Sequence, residues 1–430
     1  MLGLNLTLDT AKQTLLNTEV QIQTASNNIS NAANTGYAKE TAVVQSNPDL
    51  YTPAGWLGTG ATVTNITQSR DQFVEQELRD ATSNASQYSN LTTELGSIQT
   101  AFNDDGSTGI SQALGAFWDS WDQLVQNPSE LSNQTSVYQA AQGLASTIQA
   151  TSQRLTTIAT NDIPNQLQDT VNQANTLINQ IANLNTAIAN NSSVGSQPNA
   201  LIDQRYQALS SLSSLIPVSY SQNASGVVTV TTTDASGPLT IVQGGTATPI
   251  STASTITGGQ FGGLTQSLTD LNGYINRLND FAGTLITQVN QIHTQDGGQA
   301  VFSGTDAATI TASTDFLQGQ TTANETTIAS QMSSLQDSTI TFTDGKQSTF
   351  SQYLSDIMNQ VGTDSQQAQT DQTFNTSLQT QLQTQQQAVS GVSIDEETVN
   401  LIQFQQVYQA AAKVVDVTNQ MLNSLMAVIQ

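Results

Sequence analysis

One histidine, His293, stands in a chain of 430 residues that contains no cysteine. A Ser-His-Asp arrangement needs an imidazole beside a nucleophile and a carboxylate, and the usual structural zinc sites need thiolates or several imidazoles. A lone imidazole near the end of an apolar-periodic run reads instead as a polar residue of a helix terminus. Carboxylates cluster at Asp395-Glu396-Glu397, and acidic turns occur at Asp104-Asp105-Gly106 and Asp296-Gly297-Gly298. Consecutive helical residues point in different directions, so the first cluster suits the positive end of a helix dipole better than a metal or an acid pair. The other two lack the ligand spacing of a calcium loop and read as turns. Gly58-Thr59-Gly60 is too short to cradle a phosphate, and no HExxH, P-loop or strand-flanked GxGxxG occurs. The sequence implies no catalytic residue, no cofactor and no metal, and the expectation is that the protein is not an enzyme.

Composition narrows the classes further. Only 10% of residues are charged, against about 25% in ordinary soluble proteins, and 9 basic against 33 acidic residues give a net charge of −24. Nucleic acid and anionic membrane surfaces are excluded as partners, because both need clustered Lys and Arg. Hydrophobic residues make up 37% of the chain and recur with helical period, which argues for folded helices rather than disorder. No apolar stretch approaches the ~20 residues that span a bilayer. Met1–Asp9 shows no basic region before an apolar core, so export without a cleaved Sec-type signal is expected.

The elements that organise these residues lie first at the chain ends. Leu4, Leu8, Ala11, Leu15, Thr18, Ile22, Ala25, Ile29 and Ala32 alternate four- and three-residue spacing, a heptad seam over roughly 45 Å of helix. It stops at Asn34-Thr35-Gly36-Tyr37, where Asn and Gly can take positive φ and end a helix. Leu401, Phe404, Tyr408, Ala411, Val415, Thr418, Leu422, Leu425 and Ile429 repeat the pattern at the other end. Ser393 and Glu396 fit a capping box that opens this last helix. Apolar seams that reach both termini need a partner. That partner is either the other end of the same chain, closing one bundle, or a neighbouring subunit that buries seams mobile in the free monomer.

Between the ends, helical stripes dominate to about residue 215. They cover about 65–102, a short aromatic helix with Phe117, Trp118 and Trp121, a long run from about 131 to 191, and Leu201–Leu215. Pro164 should kink the long run or start a new helix. Residues 216–263 are rich in Val, Thr and Gly, and 227–230 and 239–242 read as short strands. Helix resumes at about 264. Residues 294–345 are mixed, with a strand at 339–343, and two helices cover about 348–390 and 394–430. The expected fold is mainly α with a small β insertion: a long helical bundle formed by both chain ends plus an outer β-rich domain. The expected domains are 1–36 with 394–430, a helical bundle of 37–215 with 264–393, and a β-rich domain at 216–263.

Ser26-Asn27-Asn28-Ile29-Ser30-Asn31-Ala32 leading into Asn34-Thr35-Gly36-Tyr37 resembles the N-terminal signature of bacterial flagellar axial proteins, and Asn400–Val414 resembles their last helix. Within that group, three blocks are similar to the FlgK-type hook-associated family. They are Gln385–Glu397; Leu201-Ile202-Asp203-Gln204-Arg205 with Ile216-Pro217-Val218; and Gly262-Gly263-Leu264 with the helix ending at His293. Tyr206 departs from the family's usual acidic residue. The resemblance implies a structural protein of the hook-filament junction, extracellular on the flagellum and exported through the type III apparatus. It implies partners in its own copies, arranged as a ring, in the hook protein, in a second hook-associated protein or filament-side subunits, and in a chaperone resembling FlgN. It makes the terminal seams an assembly interface. Another axial protein, hook or distal rod, is the nearest alternative, and a secreted coiled-coil adhesin or effector is the alternative of another class.

Overall fold

The N-terminal seam forms one unbroken helix. The computed structural model describes residues 2–52, 55–104, 108–192, 198–223, 225–295, 297–317 and 325–429, without the side chains at 2, 316, 317, 325, 428 and 429. Asp105, Gly106, Asp296 and the Ile429 side chain lie outside that description. The helices are α1 (Leu2–Asn31), α2 (Gln72–Phe102), α3 (Gly109–Gln126), α4 (Leu131–Thr157), α5 (Ile163–Ser192), α6 (Asn199–Leu215), α7 (Gly259–Gln295), α8 (Glu325–Asp337), α9 (Phe350–Ser390) and α10 (Ile394–Ile429). The strands are β1 (Glu40–Ser46), β2 (Leu50–Thr52), β3 (Gly55–Leu57), β4 (Ala61–Gln68), β5 (Ser219–Gln222), β6 (Val228–Asp234), β7 (Gly237–Gln243), β8 (Thr246–Ala247), β9 (Phe302–Ser303), β10 (Thr311–Ala312), β11 (Ile340–Thr341) and β12 (Gln347–Ser348). The fold is mainly α with small sheets.

Two compact units emerge. One comprises Met1–Ser83, Gln173–Ile256 and Asn375–Gln430, and holds both chain ends. Here α1 lies antiparallel to α10, with Ala11, Thr18 and Ala25 of one and Ala411 and Thr418 of the other buried. These small residues recur every seventh position on each helix, which lets the two backbones approach closely. The seams therefore meet within one chain, as the closed-pair reading expects.

In the same unit, part of the range 37–215 expected in the helical bundle is strand. Residues 40–68 form an antiparallel hairpin of β1 and β4, with β2 and β3 continuing it outwards. It lies along α1, where Asn17 Nδ2 donates to the Ala61 carbonyl at 2.5 Å and Asn17 Oδ1 accepts from the Val63 N–H at 2.9 Å. An amide side chain thus completes the unpaired face of β4. The β5–β8 meander also belongs to this unit rather than standing apart at 216–263. Asn185 of α5 holds it, donating to the carbonyls of Val228 and Gly244 at 2.8 and 2.9 Å and accepting from the Val228 N–H at 3.2 Å and from buried Arg205 at 3.1 Å.

The other unit comprises Asn84–Asn172 and Thr257–Phe374. Its core is aromatic: Phe117 packs on Trp118 and Phe302, Trp118 on Phe350, and Phe342 on Phe350 and Tyr353, all largely or fully buried. Pro164 is the second residue of α5, so a new α-helix starts at the proline as expected. A π turn at Ile158–Asp162, closed by the Ile163 N–H on the Ile158 carbonyl, widens the helix just ahead of the proline. Such a turn relieves the clash that a proline ring makes with the preceding carbonyls. Helix α7 begins at Gly259 rather than about 264, and its glycines pack where side chains would not fit: a Cβ on Gly263 would meet the Gln87 carbonyl oxygen.

Candidate functional site

The segment Asn27–Glu40 and the start of α10 form a clasp. Asn28 is 1% exposed and uses every hydrogen bond its amide can make. Its Oδ1 accepts from the Tyr37 hydroxyl at 2.7 Å and the Glu40 N–H at 2.9 Å. Its Nδ2 donates to the Glu40 carbonyl at 2.9 Å and to Glu397 Oε2 at 3.1 Å. Asn27 adds a bond to the Glu40 carboxylate at 3.1 Å. Lys39 closes the other side, with Nζ 3.0 Å from Glu396 and 3.4 Å from Glu397. The Lys39 N–H donates to the Ser390 carbonyl at 2.9 Å, so the chain leaving α1 is tied to the chain entering α10.

Ser393 and Glu396 share the capping only in part. Ser393 Oγ accepts from the Glu396 N–H at 3.4 Å, but the Glu396 carboxylate turns to Lys39 instead of closing the box. The turn at Asn34-Thr35-Gly36-Tyr37 also differs from expectation, since neither Asn34 nor Gly36 takes positive φ. Asn34 Oδ1 accepts from the Gly36 N–H at 3.1 Å, and the Tyr37 N–H donates to the Asn34 carbonyl at 3.1 Å. This Asx turn supplies the bend without a left-handed residue. Gly36 instead lies against Gln207, and its carbonyl accepts from Arg70 at 3.3 Å.

Arg70 extends the clasp into α6. It pairs with Glu75 at 2.7 Å and Asp203 at 2.5 Å and lies 4.0 Å over the Tyr206 ring. Burial works against the guanidinium, but the two carboxylates outweigh it and raise its pKa. Lys39 is raised likewise: burial opposes its charge, and Glu396 and Glu397 overcome that. Burial, then the Glu40 charge, pushes the Tyr37 hydroxyl well above the usual phenol range. A polar cleft of about 1100 Å³ opens beside these residues, but Lys39 and Arg70, two of the cations lining it, are already ion-paired. These ion pairs hold elements together.

The structure places the expected interface residues unevenly. Ala11, Ala25 and Ala411 are buried in the α1–α10 seam, while Leu4, Leu8, Leu15, Ile22, Ile29, Leu401, Phe404, Val415 and Leu422 are half-buried. Tyr408 and Leu425 remain exposed. Sequence reasoning missed a second apolar stripe on α10, made of Val407, Val414, Val417 and Met421, all exposed. At about 100° per residue this stripe lies roughly 100° around the helix from the seam that faces α1. Its own four-three spacing was the signal that could have found it.

The family described as "Flagellar hook-associated protein FlgK helical domain" matches residues 95–255, and "Flagellar basal body rod FlgEFG protein C-terminal" matches residues 383–428. Flagellar hook-associated protein 1 of Bacillus subtilis is 24% identical over 97% of this chain and 97% of its own length. The proteins of the same name from Salmonella typhimurium and Escherichia coli are 28% and 25% identical over 53% of this chain, which spans about two-fifths of their length (41%). The matched C-terminal segment contains the whole α10 half of the clasp. The clasp residues Asn27, Asn28 and Tyr37 belong to the signature noted in the sequence. Over these segments the chain is similar to FlgK-type flagellar hook-associated proteins, and the matches support a protein of that type.

Proposed function

We propose that this chain is a structural subunit of the bacterial flagellum, placed at the junction of hook and filament and joined there through its paired terminal helices. The observation that carries the reading is the clasp itself: the family's two end motifs meet at Asn28, Lys39 and Glu397, and so hold a long helix pair in one register. A helix pair with one internal seam and a further apolar stripe suits packing into a wall of like subunits. The partners that follow are copies of the chain arranged as a ring, hook protein on one side, and a second hook-associated protein or filament-side subunits on the other. Export through the flagellar type III apparatus, with a FlgN-like chaperone on the C-terminal region, belongs to the same proposal. So do an extracellular location and a role without catalysis.

A strain lacking the chain tests it. Filament subunits should be shed into the medium and motility lost, and both should return with the intact chain. Normal filaments on the deletion strain would overturn the reading.

A further inference from the structure

The hairpin of β2 and β3 forms an apolar finger whose side chains are left exposed by its own chain. Leu50 pairs with Leu57 and Tyr51 with Trp56, so both faces of the finger are apolar. Tyr51 is 68% and Trp56 69% exposed, and their rings stack edge to face at 5.1 Å. Leu50 and Leu57 are exposed as well. Two three-residue strands have little stability of their own, and bare aromatic pairs on a hairpin are costly unless another surface covers them. Elsewhere in the same unit the second stripe of α10 is bare too, with Val407 46% and Met421 54% exposed. Since both surfaces are exposed within one chain, they can meet only between copies.

We infer that the finger of one copy seats Tyr51 and Trp56 on the Val407–Met421 stripe of the next. This rests on the junction reading above and says which surfaces make the contact between copies. Aromatic anchors on a valine and methionine surface form a suitable hot spot, since a flexible thioether packs well at a ring edge. Charge selects the same pairing. Asp49 is the single charged residue between Thr41 and Ser69 and adjoins Leu50. Lys413 is the single basic residue of α10 and rims the stripe, while Asp416 lies on the far side of the helix. Among the described residues, neither Asp49 nor Lys413 makes an ion pair or a side-chain hydrogen bond of its own. A finger-to-stripe contact joins two different surfaces, so it propagates around a ring or helix instead of closing a dimer.

The chain has no cysteine, so Asp49→Cys and Lys413→Cys can be introduced together as its only thiols. In flagella carrying this double variant, a short bifunctional maleimide should link copies into a ladder, and neither single variant should do so. Trp56→Ser, at an exposed position, should leave the circular dichroism unchanged and lower incorporation into flagella about tenfold. Attached filaments with no ladder, or a link to any other protein, overturn the inference while the junction reading stands. Filaments that stay attached when the chain is deleted overturn both.

Discussion

Asn28 on the first helix donates to Glu397 on the last at 3.1 Å, across 369 positions of chain. Both side chains are buried, and Asn28 makes three further bonds to Tyr37 and Glu40. Removing one side chain would strand several groups at once. Asn28→Ala should destabilise the unit containing the chain ends by about 2–4 kcal/mol, seen as a lower denaturant midpoint. Amide exchange at Glu40 should accelerate. Asn28→Asp should be no milder at neutral pH, because it sets a second carboxylate against Glu397. Unchanged midpoints for both variants would remove Asn28 from the clasp.

The clasp should also weaken in alkali. Tyr37 and Lys39 both have raised pKa values in the folded chain, against ordinary values of 10.0 and 10.5. A raised folded pKa gives stability that is complete below the ordinary value and is lost as pH rises through the folded one. Unfolding followed from pH 8 upwards should therefore show a flat midpoint to about pH 10 and a decline beyond it. The double variant Tyr37→Phe with Lys39→Met should start lower and decline less. An equal decline in the variant would place the alkaline sensitivity elsewhere.

Charge placed in the seam should separate assembly from folding. Leu422 is half-buried against α1, and Leu425 lies at its margin. Leu422→Asp with Leu425→Asp should loosen the last turns of α10, because a charge at half-buried Leu422 would lose part of its hydration against α1. Incorporation into flagella should be abolished, while hydrogen exchange in the unit built on Trp118 and Phe350 stays native. Retained incorporation would show that the seam is not needed for assembly.

Gly263→Ala tests the approach of α7 to α2. The added methyl would be driven into the Gln87 carbonyl oxygen and the Asn90 side chain. Backbone cannot yield as a side-chain tip can, so a loss of about 1–3 kcal/mol is expected in thermal or denaturant unfolding. Gly273→Ala, with open space around the same helix, should be neutral or slightly stabilising and serves as the control.

How far the sequence could be read follows from the range of each signal. Ala11, Thr18 and Ala25 repeat within one helix, and so do Ala411 and Thr418, so the seam is local and visible. Asn28 was visible only as part of a signature, because Tyr37, Glu40 and Glu397 reach it through tertiary structure. The β1 strand escaped notice for a different reason. Val43 and Val44 are adjacent and both exposed, so the strand lacks the alternation that a half-buried strand prints on its sequence. Val407, Val414, Val417 and Met421 were hidden by their neighbours: a helix apolar on two adjacent faces reads as one broad stripe. Asn34 and Gly36 suggested a left-handed cap, and the Asx turn served instead because the Asn34 side chain could reach the Gly36 N–H.

The separation of Asn28 from Glu397 also sets an order of events. Closing a free loop of that length costs on the order of 5 kcal/mol in chain entropy. A few hydrogen bonds and a half-buried seam offset that poorly while the middle of the chain is unfolded. The ends should therefore zip together last, after the intervening segments have shortened the tether between them, and should be the first part to come undone. A newly folding chain passes through a stage in which its interior is finished and its two terminal apolar seams are still apart.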